Sequence, residues 1–133
     1  MYKSVLLLLG AAVLTSCVVA PVQNTGLRGS VLFSTENVGN TCSINAEFTN
    51  HTPVPLQPVI HFTVLDKDGN TLKSASTPFG MIATGKKQTT LATMLFTACN
   101  VNSIVVTRAY DAMAPSISIQ GVAGNTYTFK GSK

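Results

Sequence analysis

The residues able to do chemistry are few and scattered. The chain holds three cysteines, two histidines and five acids. Cys42, Cys99, His51 and His61 are the candidates for a metal site, yet no two of them stand at the close spacing that zinc sites use to seed a ligand pair. His51 falls in a proline-punctuated stretch, and His61 in an alternating one where it shares a side with Thr63. A polar or edge-exposed imidazole suits both. Serines abound, but no G-x-S-x-G elbow raises one as a nucleophile, and five acids leave few groups to orient a histidine. Glu36, Glu47, Asp66, Asp68 and Asp111 offer no evident pair of the kind glycoside hydrolysis needs. Asp66-Lys67-Asp68-Gly69-Asn70 opens like a calcium loop, but Thr71-Leu72-Lys73 withholds the later ligands. It reads as a hairpin turn. The expectation is a chain with no catalytic residue, no metal and no cofactor.

Cys17 stands apart. Lys3 precedes the apolar run Val5-Leu6-Leu7-Leu8-Leu9-Gly10-Ala11-Ala12-Val13, and Leu14-Thr15-Ser16 leads into Cys17. One positive charge, a short apolar core and small residues form the layout of a secretory signal peptide. A membrane span needs about 20 apolar residues, and this run is shorter. Leu14-Thr15-Ser16-Cys17 resembles the bacterial lipobox, in which a branched apolar residue and two small ones precede the modified cysteine. The resemblance implies that residues 1–16 are a signal peptide and that Cys17 begins the mature chain. It implies too that Cys17 carries acyl chains such as palmitate, which hold the protein to a lipid bilayer. Val18 and Val19 follow with no Asp beside Cys17. By resemblance to enterobacterial sorting, that favours the outer membrane, with the domain facing the periplasm or the surface. Cys42 and Cys99 are then an even pair in an oxidising compartment, where a disulfide is expected. A loop of that length contributes about 4 kcal/mol on the chain-entropy estimate.

The formal net charge is +4. Its basic residues beyond the signal are spread over Arg28, Lys67, Lys73, Lys86, Lys87, Arg108, Lys130 and Lys133, and only Lys86-Lys87 are adjacent. A nucleic-acid reader wants clustered cations with interleaved aromatics, so nucleic acid is excluded as a partner. Many Thr, Val, Ser and Asn residues and no Trp suit a small β protein.

The elements that must position these residues are strands. Residues 17–29 read as a lipidated N-terminus and tether, since Pro21 and Gly26 discourage regular structure. Fully extended, the tether reaches at most about 35–40 Å. Residues 30–133 read as one domain. Ser30–Ser34 is a short strand ended by the polar Glu36–Asn40. Thr41–Thr49 alternates, with Cys42, Ile44, Ala46 and Phe48 on the core side. Asn50–Pro58 is a proline-rich connection, and Val59–Asp66 is a strand burying Ile60, Phe62 and Val64. Thr71–Ala75 returns from the Asp66–Asn70 hairpin, and Ser76–Ile82 crosses over. Gln88–Thr97 sets Leu91, Thr93 and Leu95 against Ala92, Met94 and Phe96. Ile104–Tyr110 is followed by a break at Pro115, then Ser116–Gln120 and Thr126–Lys130. About seven short strands without a helix close most simply as an all-β, antiparallel two-sheet sandwich, with a closed barrel as the alternative.

Phe62-Thr63-Val64-Leu65-Asp66-Lys67-Asp68-Gly69-Asn70 resembles the F-x-L-Y-D strand-and-turn motif of small periplasmic domains. The likeness covers roughly residues 38–110. It takes in the Asn50–Pro58 loop before the motif and Gly85 with Gln88–Thr97 after it. It departs at Leu65, where that family has Tyr, and the Cys42/Cys99 pair is no part of the motif. The resemblance implies an immunoglobulin or fibronectin III-like sandwich and no particular reaction.

Small sandwiches act through loops and edges. Two partner-binding candidates follow: the loop with Val54 and Leu56, which reads more simply as a packed connection whose apolar residues cover the core, and the last strand with Tyr127 and Phe129, which could also exchange between protomers to form a homodimer. The expected function is a membrane-anchored, non-catalytic binding or accessory module with a protein partner in an envelope assembly serving secretion, a surface appendage or phage exclusion. An inhibitor or receptor mimic acting through one loop is the alternative. A hydrolase with an unrecognised pocket is the alternative of another class.

Overall fold

A computed structural model describes residues 26–129. The signal segment, the lipobox with Cys17, most of the tether and the chain end from Lys130 lie outside the described residues. Strand β1 is Gly29–Val38, β2 Thr41–Asn50, β3 Pro58–Leu65, β4 Thr71–Pro78, β5 Lys87–Leu95, β6 Ser103–Asp111, β7 Ala114–Ser118 and β8 Thr126–Thr128. One sheet has the order β1-β2-β5. The other has the order β4-β3-β6-β7, with β8 also on β6. All these strand pairs are antiparallel. The fourth strand joins the third rather than the β1-β2-β5 sheet. That is the fibronectin III arrangement, not the immunoglobulin constant one.

Period-two patterning explains the two central strands. Cys42, Ile44, Ala46 and Phe48 of β2 are fully buried, as are Ile60 and Val64 of β3, with Phe62 at 1% exposure. They meet Val31, Ile104 and Val106 between the sheets. Each large side chain so buried contributes about 1.5–3 kcal/mol.

Three expectations need correction. β1 runs on through Glu36–Val38, because Asn37 and Glu36 pair with Cys42 and Ser43 and turn no corner. In β5 the alternation does not hold: Leu91 is 51% exposed, while Ala92 and Thr93 are both buried. A bulge opposite Ile44 and Asn45 inserts Ala92 and flips the phase of every residue after it. Pro115 does not break a strand but lies within β7, an edge strand where a missing N–H costs no ladder bond.

The folded unit also begins ahead of the boundary expected at Ser30. Gln120 N–H donates to Leu27 O at 2.9 Å, and Gly29 N–H donates to Gln120 O at 3.1 Å. Arg28 N–H donates to Thr52 Oγ1 at 2.7 Å, and that hydroxyl donates back to Arg28 O at 2.9 Å. The first strand thus starts against the second sheet and crosses to its own. Gly29 permits the crossing, since a Cβ there would overlap the Phe48 ring.

The Asp66–Asn70 hairpin has a chemical lock. Asp66 Oδ1 accepts the backbone N–H groups of Asn70 and Asp68, each at 2.9 Å. These bonds, Asn70's first, hold its carboxyl below the ordinary 3.8. A depressed folded pKa contributes stability that is present above the unfolded value and lost as pH falls through the folded one. The Asn70 amide resonance is therefore expected to titrate below pH 3.8. It should be flat in Asp66→Asn. An Asn70 amide that does not move with acid would refute the lock.

Candidate functional site

Strand direction divides the loops between two ends. The chain arrives through Leu27 at the near end, which also holds residues 51–57, 79–86 and 112–113. The far end holds residues 39–40, 66–70 and 96–102, together with Phe129.

At the far end β5 stops at Leu95, and the next side chain, Phe96, is 80% exposed. It is mounted on a fixed frame. Cys99 is disulfide-bonded to Cys42, with Cα atoms 4.9 Å apart across a sequence separation of 57. Cys99 N–H donates to Asn37 Oδ1 at 3.2 Å, and Val101 is fully buried. Asn102 N–H donates to Leu65 O, and Phe129 N–H to Asn102 O, both at 2.8 Å. The 96–102 connection is thus tied to both sheets.

Phe96, Leu72, Lys73, Met94, Leu95 and Thr97 line a cleft of about 250 Å³ between the β4 and β5 edges. Lys73 Nζ spans it, donating to Met94 O at 3.2 Å. Val38, 56% exposed, stands at the same end. This arrangement can bury an apolar partner group against a preset aromatic ring, with one ammonium beside it. A fixed exposed aromatic is the kind of residue that carries interface energy.

The residues singled out from sequence are not gathered in one place. Cys42 and Cys99 form the far-end staple. Val54 is 50% exposed at the near end. Leu56 is fully buried, because its backbone exchanges bonds with Ile82 at 3.0 and 2.6 Å and turns the side chain into the core. It offers no partner surface. Tyr127 and Phe129 pack on the core, with the Tyr127 ring edge-on to Phe33 at 5.3 Å. β8 itself is paired with β6 of the same chain.

The histidines are apart as well. His51 Nε2 is 3.1 Å from Ser30 Oγ. His61 Nε2 is 3.2 Å from Tyr110 Oη and its ring stacks on Tyr110, while the Arg108 guanidinium lies 4.2 Å over the other ring. Asp111 Oδ1 accepts the Gln57 and Met113 N–H groups, so it caps loops. Among the described residues no three His, Cys, Asp or Glu side chains come together as a metal site. His61, Thr63, Ser74, Ser76 and Thr107 line a shallow depression of about 380 Å³ on the outside of the second sheet.

Phe96 was the residue sequence reasoning passed over. The alternation sets it with Ala92 and Met94 against Leu91, Thr93 and Leu95 and assigns neither side to the core. A large aromatic three residues before a stapled cysteine is the available signal.

No protein-family model and no curated protein matches the chain. Among solved structures, an X-ray structure of a Northeast Structural Genomics Consortium target is similar over 81% of this chain and 90% of its own, at 13% identity and a TM-score of 0.40.

Proposed function

We propose that this chain is a non-catalytic binding module of a bacterial envelope assembly, anchored in the outer membrane through lipid on Cys17. The far end meets a protein partner. The observation that carries this reading is Phe96, 80% exposed on a connection that a disulfide and hydrogen bonds to both sheets hold still. A preset aromatic loses little freedom on binding, so more of its buried area appears as affinity. The Leu27 end of the chain lies at the opposite end of the strands from Phe96.

Crosslinking in native membranes, read by mass spectrometry, is expected to recover one envelope protein with the wild-type chain. Phe96→Ala should weaken that complex by about 30-fold or more, the loss typical of a truncated interface aromatic at 2 kcal/mol. Leu32→Ser, at a residue 64% exposed on the β1-β2-β5 sheet, should leave it intact. A partner set indifferent to Phe96→Ala removes the far end as the site.

A further inference from the structure

The near end exposes apolar tips on each of three connections. Val54, Met81 and Met113 are 50%, 56% and 72% exposed. These connections form one framework. Leu56 and Ile82 exchange backbone bonds, and Asn50 Nδ2 holds both Val54 O and Ile82 O at 2.9 Å. On the other side Ala112 N–H donates to Gln57 O at 2.8 Å. The loop with Val54 therefore sits between the loops with Met81 and Met113. Exposed Arg28 and Lys86 belong to the same framework, through Thr52 and through the bond from Asn50 N–H to Lys86 O. Lys87 is close by, and pairs with Glu47 at 3.8 Å. The near-end acid, Asp111, is occupied with the Gln57 and Met113 amides. Glu36, Asp66 and Asp68 lie toward the far end.

We infer that this end is a membrane-docking face: Val54, Met81 and Met113 dip into the headgroup region of an anionic bilayer, with Arg28 and Lys86 at the level of the phosphates. The inference rests on the anchored reading above. The residues between Cys17 and Leu27 extend at most about 35 Å, and Leu27 is hydrogen-bonded at this very end. A leash of that length keeps these tips within reach of lipid. Unbranched methionines adapt to a fluid apolar boundary, and cations beside an anionic leaflet add attraction at each site. Docking fixes the domain's orientation and points Phe96 away from the membrane.

The test places a photoreactive benzophenone side chain at position 54, 81 or 113 of the full chain, with position 96 as control, and irradiates native membranes. Phospholipid adducts are expected at all three near-end positions and several-fold less at 96. Arg28→Glu with Lys86→Glu should lower the near-end lipid adducts about fivefold or more while the chain stays in the membrane fraction. A membrane-bound chain whose near-end positions take only protein adducts, or none, overturns docking and leaves the anchor standing. A chain outside the membrane fraction, and indifferent to Cys17→Ser, overturns anchor and docking together.

Discussion

Replacing Cys42 and Cys99 together by alanine is expected to lower the stability of this domain by about 4 kcal/mol. The bond joins residues separated by 57 positions, and closing a loop of that length in the unfolded chain sets the magnitude. For a domain of this size the loss lowers Tm by roughly 15–25 °C. Single domains hold about 5–15 kcal/mol in total, so the bond decides much of the margin. Two further losses act in the same direction. Cys42 is fully buried and Cys99 is 7% exposed, so the alanines leave sulfur-sized voids in the core. The 96–102 connection also loses its covalent tie to β2. Thermal or urea unfolding with and without reductant measures the effect. Hydrogen exchange at residues 96–102 should rise in the variant before exchange in β2 and β3 does. Midpoints that agree within about 2 °C with and without reductant would show that the staple contributes nothing.

That bond also shows how much was legible in the sequence. The pairing follows from counting cysteines once Cys17 is assigned elsewhere, and the alternation around Cys42 places it on the core side. Strands β2 and β3 were readable because each is a single unbroken run of period two, buried on one face. β5 was not, because one extra residue at Ala92 changes which side the rest of the strand faces, and composition carries no mark of a bulge. β7 was displaced for a related reason: proline is excluded from central strands but not from edges, and edge position is a property of the whole sheet. The site suffered most. Val54 and Leu56 look alike in sequence, yet one is half exposed and the other fully buried. The difference is the bridge from Leu56 to Ile82, a contact between distant residues. The exposure of Phe96 and its fixed frame emerge only with the far end assembled around it.

Asn50→Asp is expected to be the most damaging conservative substitution at the near end, and its damage should depend on pH. Asn50 is fully buried at the end of β2. Its Nδ2 donates to Val54 O and Ile82 O, each at 2.9 Å, and its Oδ1 accepts Thr52 N–H at 2.7 Å. One side chain thus fixes both loops that carry Val54 and Met81. Aspartate has the same shape and keeps the acceptor, but it loses both donors and sets a carboxylate against two carbonyl oxygens. Val54 O loses its donor while Ile82 O keeps the Leu56 N–H, and the uncompensated buried charge adds about 3–5 kcal/mol. A loss of at least about 4 kcal/mol at pH 7 follows, large enough to rank among exceptional single substitutions. Burial and the facing carbonyls raise the folded pKa of the introduced acid above its unfolded value of about 3.9. A raised folded pKa means the penalty is smallest below the unfolded value and grows as pH rises toward the folded one. In acid the neutral carboxyl also regains one donor. Urea unfolding at pH 4 and pH 7 should therefore show the variant recovering much of its loss at the lower pH relative to wild type. Asn50→Ala, which lacks a titrating group, should lose the same amount at both. If Asn50→Asp also lost equally at both, the carboxylate would be reaching water, and Asn50 would not be the buried clasp of the near-end loops.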